Sequence, residues 1–192
     1  MKMKTLSKAL LVSLCAVLLV AASVLGTLAY LTSSDAVTNT FTVGKVAITL
    51  DETEVDEYGV AGQNPDRVKE NTYKLIPGKT YTKDPTIHVN AESEKCWLFV
   101  KIENGLEGVA TINGLDGWTL VDDTTDIYAF ERVVTGNENV AVFATFTVDS
   151  DATEAELTDL ADETIVVTAY AVQADGFATA ADAWNGANSQ FN

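Results

Sequence analysis

The sequence predicts an all-β fold, a β-sandwich with a short crossover helix and an N-terminal signal helix. Two observations predict the sandwich: apolar and polar residues alternate at period two in several segments, and turn residues separate these segments. Val, Thr, Phe and Tyr dominate the segments, as is typical of β-strands. A third observation, a long uncharged stretch near the N-terminus, predicts the signal helix.

The N-terminal stretch has the basic and apolar parts of a secretory signal peptide. Its basic start contains Lys2, Lys4 and Lys8, and no charged residue occurs from Ala9 to Ser34. An uncharged run of this length is also sufficient to span a bilayer, which takes about 20 residues. A retained membrane anchor is therefore the alternative to a cleaved signal.

Small residues mark the expected cleavage site. Thr27 and Ala29 stand at the −3 and −1 positions before Tyr30, as signal peptidases require. The chain accordingly divides into a signal peptide, residues 1–29, and a single β-sandwich domain, residues 30–192. Cleavage there predicts a secreted protein of the cell surface or extracellular matrix.

The composition narrows the class of partner. The chain of 192 residues carries 12 basic and 28 acidic side chains, for a formal net charge of −16. Such an acidic protein does not attract nucleic-acid phosphate, so no nucleic acid is expected as a partner. Of its two cysteines, Cys15 lies in the signal region. Cys96 therefore has no partner for an internal disulfide in the domain.

The first strand region contains apolar residues whose phase changes midway. The residues concerned are Phe41, Val43, Val46, Ile48 and Leu50. The phase changes at Gly44-Lys45, where a β-bulge would keep all five side chains on one face. The alternative is two short strands that belong to different sheets. Either arrangement makes residues 38–50 a separable β-element near the new N-terminus.

Later segments predict further strands and the turns between them. The strand segments are Ile87–Val89, Cys96–Ile102, Trp118–Val121, Ile127–Val134, Val140–Val148 and Ile165–Val172. Turns are predicted at Pro77-Gly78, Asn113-Gly114 and Gly136-Asn137. In the strand predicted over Cys96–Ile102, the side chains of Trp97 and Phe99 lie on the face opposite to the apolar face that contains Cys96. We expect a helix to cover them, formed near the C-terminus by residues 178–184 with Trp184; the alternative is that another chain covers them.

One more helix and one long loop complete the expected domain. Thr153 and Glu156 form a possible capping box, which predicts a short helix that connects two long strands. Residues 51–72 are acidic and polar, with two glycines and a proline, and we interpret them as an acidic loop.

The sequence contains few residues of the types that usually catalyse reactions or bind metal ions. His88 is the only histidine, and no His-Glu-x-x-His motif is present, so we expect no metal, no cofactor and no catalytic residue. A thiol–imidazole pair of Cys96 and His88 is conceivable, but an ordinary strand histidine and a buried thiol are the favoured interpretation. The acidic runs 122–126 and 149–153 resemble calcium loops only in part, and we interpret them as solvated turns.

Several blocks of the sequence resemble the TasA/camelysin family of secreted proteins of Gram-positive bacteria. The blocks are Thr27–Thr32, Asn39–Val46, Leu75–Asp84 and Tyr170–Phe177, the last followed by Ala183-Trp184. The resemblance implies a jelly-roll-like β-sandwich, release by a SipW-type signal peptidase, and a non-catalytic structural role in biofilm fibres. The chain departs from the fibre-forming pattern in its shorter length and in its acidic loop.

The resemblance also implies a partner and a mechanism of assembly. Fibre-forming members polymerise by donor-strand exchange with a second copy or a related fibre subunit. In this sequence the donor strand is roughly Tyr30–Leu50, which contains Phe41, Val43, Val46, Ile48 and Leu50. Two alternatives stay open at this point. One is a secreted metallopeptidase of the camelysin type, although no recognisable zinc site carries over; the other is a monomeric surface adhesin.

Overall fold

The structure of the protein is a computed structural model that describes residues 14–18, 45–122 and 126–191. The chain divides into two units, Met1–Thr42 and Val43–Asn192. In the first unit, residues 14–18 are helical. Among the described residues, we find no helix with the length and apolar character needed to cross a bilayer.

The regular structure in the described part of the second unit is mostly β-strand, arranged in three antiparallel sheets. In chain order its elements are β1 (Ile48–Thr53), β2 (Arg67–Val68), β3 (Thr80–Thr82), β4 (Thr86–Val89), β5 (Cys96–Asn104), β6 (Ala110–Asn113), β7 (Trp118–Asp122), β8 (Ile127–Phe130), β9 (Asn139–Ala141), β10 (Thr145–Val148), α1 (Glu154–Asp159), β11 (Ile165–Gln173), α2 (Ala180–Ala187) and a 3-10 turn (Asn188–Gln190). The first sheet has the order β2-β1-β4-β9, the second β3-β10-β6, and the third β11-β5-β8-β7. The predicted all-β sandwich is thereby confirmed.

The first and second sheets are connected through two neighbouring stretches of chain. Residues 83–85 lead from β3 to β4, and residues 142–144 lead from β9 to β10. Backbone hydrogen bonds join the stretches, because Val142 N–H donates to Pro85 and Lys83 N–H donates to Ala144. These two sheets therefore follow one another as parts of one layer.

The main core lies between this layer and the third sheet. From the first sheet it receives Ile87, Val89 and Val140, and from β5 it receives the buried side chains of Cys96, Leu98, Val100 and Ile102. The alternation predicted for β5 is confirmed, because these four residues all face the main core. Burial of such aliphatic side chains contributes about 1.5–3 kcal/mol each.

Helix α2 covers the other face of the third sheet, as the sequence predicts. Trp184 is 7% exposed, and its ring centroid lies 5.1 Å from that of Phe99. Ala183 and Ala187 are buried in the same cluster, where their small side chains permit close contact with the sheet. The apolar outer face of β5 is therefore covered by the chain's own helix.

Local signals for turns and caps are also confirmed. Gly78 has a φ of 72° and Asn137 a φ of 67°, a backbone conformation that these residue types accept. Thr153 caps α1 in a complete capping box with Glu156. Helix α1 connects β10 to β11, as expected.

The prediction of one strand over Val140–Val148 is wrong in its middle. Val142 and Phe143 are consecutive, yet they are 0% and 1% exposed, so alternation fails there. The strand breaks at residues 142–144 because both side chains enter the core, and the chain passes from the first sheet to the second.

The strand predicted over Ile127–Val134 is also shorter than expected. It ends at Phe130, and Val134 forms an isolated bridge with Cys96.

The stretch 51–72 has more regular structure than a loop. It begins with the last residues of β1 and includes β2, and the two strands pair at Glu52↔Val68 and Thr53↔Arg67. Glu52 is only 4% exposed, although the composition of this stretch suggests a solvated segment. The predicted jelly-roll connection and the signal helix over residues 1–29 stay predictions, and Gly44 of the expected bulge lies outside the described residues.

Candidate assembly site

The residues predicted to direct export and assembly are only partly within the described chain. Thr27, Ala29 and Tyr30 of the expected cleavage site lie outside it, as do Phe41 and Val43 of the expected donor strand. The other donor-strand residues, Val46, Ile48 and Leu50, are half-buried and pack against the main core.

Strand β1 is paired within its own chain. Ile48 lies opposite Val89, and Leu50 lies opposite Ile87 in the antiparallel pair with β4. On the other edge, β2 pairs only with the end of β1, and the Lys69 ammonium donates to the carbonyl of Leu50. The second half of the expected donor strand thus occupies its own sheet here, while exchange between chains stays a prediction.

Strand β11 is an edge strand along its whole length. It pairs with β5 from Ile165 to Gln173, and no other strand of the described residues pairs with it. Its nine residues include no charge and no proline. Val166 is 44% exposed on this strand. A long, uncharged edge of this kind is a template for pairing with another chain.

A groove lies between β1 and β11. Its volume is about 1410 Å³, and its walls come from β1, residues 69–77, α1 and the start of β11. Sites for small molecules usually measure about 300–1,000 Å³, so this groove has room for a peptide segment. Apolar side chains such as Leu75, Leu157 and Ile165 line it together with charged ones.

The opposite side of the sandwich is closed. Trp118, on edge strand β7, donates its indole N–H to the carbonyl of Ala141 on β9 at 3.0 Å. This bond ties the third sheet to the first sheet, and the Trp118 side chain is 7% exposed between them. Taken by itself, the described part of the second unit therefore has one closed side and one open side, and the open side carries the groove.

A cluster of charged residues holds β1 on the outer surface of the first sheet. Asp51 Oδ1 lies 2.6 Å from Arg67 Nε and 2.8 Å from His88 Nε2. Arg67 also contacts Asp84 at 3.1 Å. Burial acts to raise the pKa of Asp51, but the hydrogen bonds from Arg67 and His88 outweigh it and lower that pKa.

His88 and Cys96 do not form a catalytic pair. The ring nitrogens of His88 lie 2.8 Å from Asp51 Oδ1 and 2.7 Å from Asn139 Oδ1. Cys96 is fully buried in the main core, where burial, with a contribution from Glu138, raises the pKa of its thiol to about 11. Such a thiol is not ionised near neutral pH and is a poor nucleophile.

Acidic side chains are numerous, but they do not converge. Within the residues that the structure describes, no group of three His, Cys, Asp or Glu side chains is placed to hold a metal ion. Of the two acidic runs, 149–153 leads into the cap of α1, and residues 123–125 of the other lie outside the described chain.

Sequence reasoning missed a buried polar cluster beneath β1. Glu52 accepts a hydrogen bond from Lys83 at 2.7 Å and another from Asn71 at 2.9 Å. A signal was present, since Glu52 continues the even-numbered phase of Val46, Ile48 and Leu50 and therefore points inward. An acidic residue on an inward phase requires partners, because an unpaired buried charge is strongly unfavourable.

No family model, curated protein or solved structure matches this chain.

Proposed function

We propose that this protein is a secreted, non-catalytic structural protein that assembles head to tail at the cell surface or in a biofilm matrix. The observation that supports the proposal is the open side of the sandwich, where β11 presents an uncharged edge and its first residues, Ile165–Val167, line the groove. A strand supplied by a second copy of the chain would extend the third sheet along this edge. Backbone hydrogen bonds would provide affinity, and alternate side chains would provide specificity.

The donor in this proposal is the segment that precedes β1. It contains Phe41 and Val43 in an uncharged, β-prone context, Asn39–Val43. Donation by this segment leaves β1 paired with β4 and leaves Asp51 bound to Arg67 and His88. Because the donating and accepting surfaces differ, the contact is heterologous and generates a filament if it does not close into a ring.

The test compares filament formation by the secreted chain and by variants, using electron microscopy. A variant that lacks residues 30–44 should stay folded, as judged by circular dichroism, and should form no filaments. Val166→Lys should also prevent assembly, because it places a charge on the accepting edge.

Leu120→Lys is the matched control. Leu120 is 43% exposed on β7, the opposite edge strand of the same sheet, so its exposed fraction differs from that of Val166 by one percentage point. This variant should assemble normally. Filaments from Val166→Lys, or a wild-type protein that stays monomeric at every salt concentration and pH, would overturn the proposal. Chelator-sensitive proteolysis lost in His88→Ala would instead support the camelysin-type peptidase.

A further inference from the structure

Three side chains of different chemistry meet at the floor of the groove. Glu52 comes from β1, Lys83 from the stretch between β3 and β4, and Asn71 from the segment after β2. The side chains of Glu52 and Lys83 are only 5% and 13% exposed. An amine, a carboxamide and a carboxylate thus share a site that is largely withdrawn from solvent.

Glu52 binds the other two groups with separate oxygens. Its Oε2 accepts from Lys83 Nζ at 2.7 Å, and its Oε1 accepts from Asn71 Nδ2 at 2.9 Å. One carboxylate therefore holds the amine and the carboxamide next to each other. Proximity of this kind converts a bimolecular reaction into an intramolecular one.

The carboxamide of Asn71 is held in one orientation. Its Oδ1 accepts a hydrogen bond from the Val55 N–H at 3.0 Å, and its Nδ2 also donates to the Thr53 carbonyl at 2.9 Å. The Val55 N–H can only donate and the Thr53 carbonyl can only accept, so the oxygen and nitrogen of the Asn71 amide cannot exchange places. The Val55 N–H polarises the carbonyl and is placed to stabilise negative charge that develops on Oδ1.

We propose that Lys83 and Asn71 form an intramolecular isopeptide bond, with Glu52 as the proton-transfer residue. This is a self-catalysed modification of the chain, and it does not depend on the assembly proposed above. The bond would join the two ends of the segment 71–83, which contains the Pro77-Gly78 turn and forms part of the groove wall.

The reaction balances without any further reactant. Lys83 passes a proton to the Glu52 carboxylate, and the free amine attacks Cγ of Asn71 to form the new C–N bond. The oxyanion on Oδ1 keeps its hydrogen bond to Val55. Glu52 then protonates Nδ2, and the old C–N bond breaks as ammonia leaves. The remaining proton on Nζ returns through Glu52 to the ammonia, so that ammonium and an ionised Glu52 are the products.

Aromatic side chains surround the site and keep its polarity low. The ring of Tyr73 packs edge-on against two other aromatic rings. Its centroid lies 5.1 Å from that of Phe146 and 5.7 Å from that of Tyr81, and the three rings form an aromatic wall. Burial and the charge of Glu52 raise the pKa of the Tyr73 hydroxyl, as expected for a site of low polarity. The groove gives ammonia a way out.

Such a bond suits this chain because the described domain has no second thiol. Cys96 is the only cysteine after residue 15 and is buried in the core, so a disulfide within the sandwich is not possible. A covalent link between Lys83 and Asn71 would restrain the same kind of loop that a disulfide restrains in other exported domains.

The test is tryptic mapping of the purified full chain by tandem mass spectrometry. Without the bond, trypsin releases the linear peptides 70–74, 80–83 and 84–95. With the bond, Lys83 resists cleavage, and a branched peptide joins 70–74 to 80–95 with the loss of one ammonia. Linear peptides alone, from protein shown to be folded by circular dichroism, would overturn the proposal.

Variants distinguish isopeptide formation from other reactions that also release ammonia. Glu52→Gln and Lys83→Arg should both abolish the branched peptide and raise the intact mass, relative to the wild type, by one ammonia beyond the substitution itself. Lys101→Arg, at the exposed pair with Glu103, is the control and should leave the branched peptide unchanged. Loss of ammonia located within a linear peptide 70–74 would indicate a succinimide at Asn71 and would contradict the proposal.

Discussion

Glu138 stabilises the turn at Gly136-Asn137 through three hydrogen bonds. Its carboxylate accepts from Arg132 at 2.7 Å and from the N–H and hydroxyl of Thr135 at 2.8 Å each. The bond to Arg132, followed by those to Thr135, lowers the pKa of Glu138 from 4.5 to about 2. A carboxyl group with a lowered pKa stabilises the fold above its unfolded pKa, and that stabilisation is lost as the pH falls through the folded pKa.

We therefore expect the melting temperature of the wild type to fall between about pH 4.5 and pH 2 by more than that of Glu138→Gln. The measurement is thermal unfolding by circular dichroism at closely spaced pH values. Asp175→Asn, a substitution at an exposed carboxyl outside this turn, serves as the control and should follow the wild-type profile. Parallel pH profiles for the wild type and Glu138→Gln would contradict the prediction.

Phe143 shows how one side chain overrides a regular strand pattern. It is 1% exposed in the main core, although alternation with Val142 would place it on the opposite face. We expect Phe143→Ala to destabilise the protein by about 3–5 kcal/mol, because it removes a buried ring and leaves a cavity. Urea unfolding measures this loss, and a cost below 1 kcal/mol, as for an exposed position, would show that the ring is not in the core.

Among the elements of the second unit, helix α1 is shorter than helix α2 and depends strongly on its cap. It has six residues and no buried side chain, and Thr153 and Glu156 supply its capping box. We expect Thr153→Ala to cost about 1 kcal/mol in the free energy of unfolding. Thr158→Ala is the matched control, because it removes the same hydroxyl from the interior of the helix, where alanine has the higher helix propensity. Equal losses for the two variants would contradict a specific role of the cap.

Strands β1 and β11 share a position at the open side but differ in how each edge is covered. β1 has β2, Lys69 and Arg67 against its outer edge, whereas β11 presents nine uncharged residues. Charged side chains along an edge discourage pairing with another chain, and their absence permits it. The accepting edge in the proposed assembly is therefore β11, and β1 serves as the opposite wall of the groove.

At the scale of the whole molecule, the net charge of −16 opposes any association of copies. Added salt reduces this repulsion, since the Debye length falls from about 10 Å at 0.1 M to about 3 Å at 1 M. We expect filament growth, followed by light scattering, to accelerate with sodium chloride over this range. An uncharged osmolyte at matched osmolality should not reproduce the effect, and growth that slows with salt would indicate that attractive charge contacts drive association.

The local features of this protein were predictable from sequence because they depend on neighbouring residues. Alternation in β5, the capping box at Thr153 and the positive φ of Gly78 each arise within a few positions of the chain. The cover of Phe99 by Trp184 was predictable for a different reason, because an apolar face is more often covered by the same chain than left as an open patch. The break at Val142-Phe143 was not predictable, because it depends on which sheet each half of the strand joins.

Sequence alone therefore determined the fold class, the turns and the short helices of this chain. Tertiary structure decided which strand edges stay open, and it brought Glu52, Lys83 and Asn71 together from three separate segments. The physical reason is strand register, as in the pairs Glu52↔Val68 and Leu50↔Ile87, which sets the distances between remote residues. A shift of one residue would turn Glu52 to the other face, and no local pattern of polarity specifies that distance across the sheet.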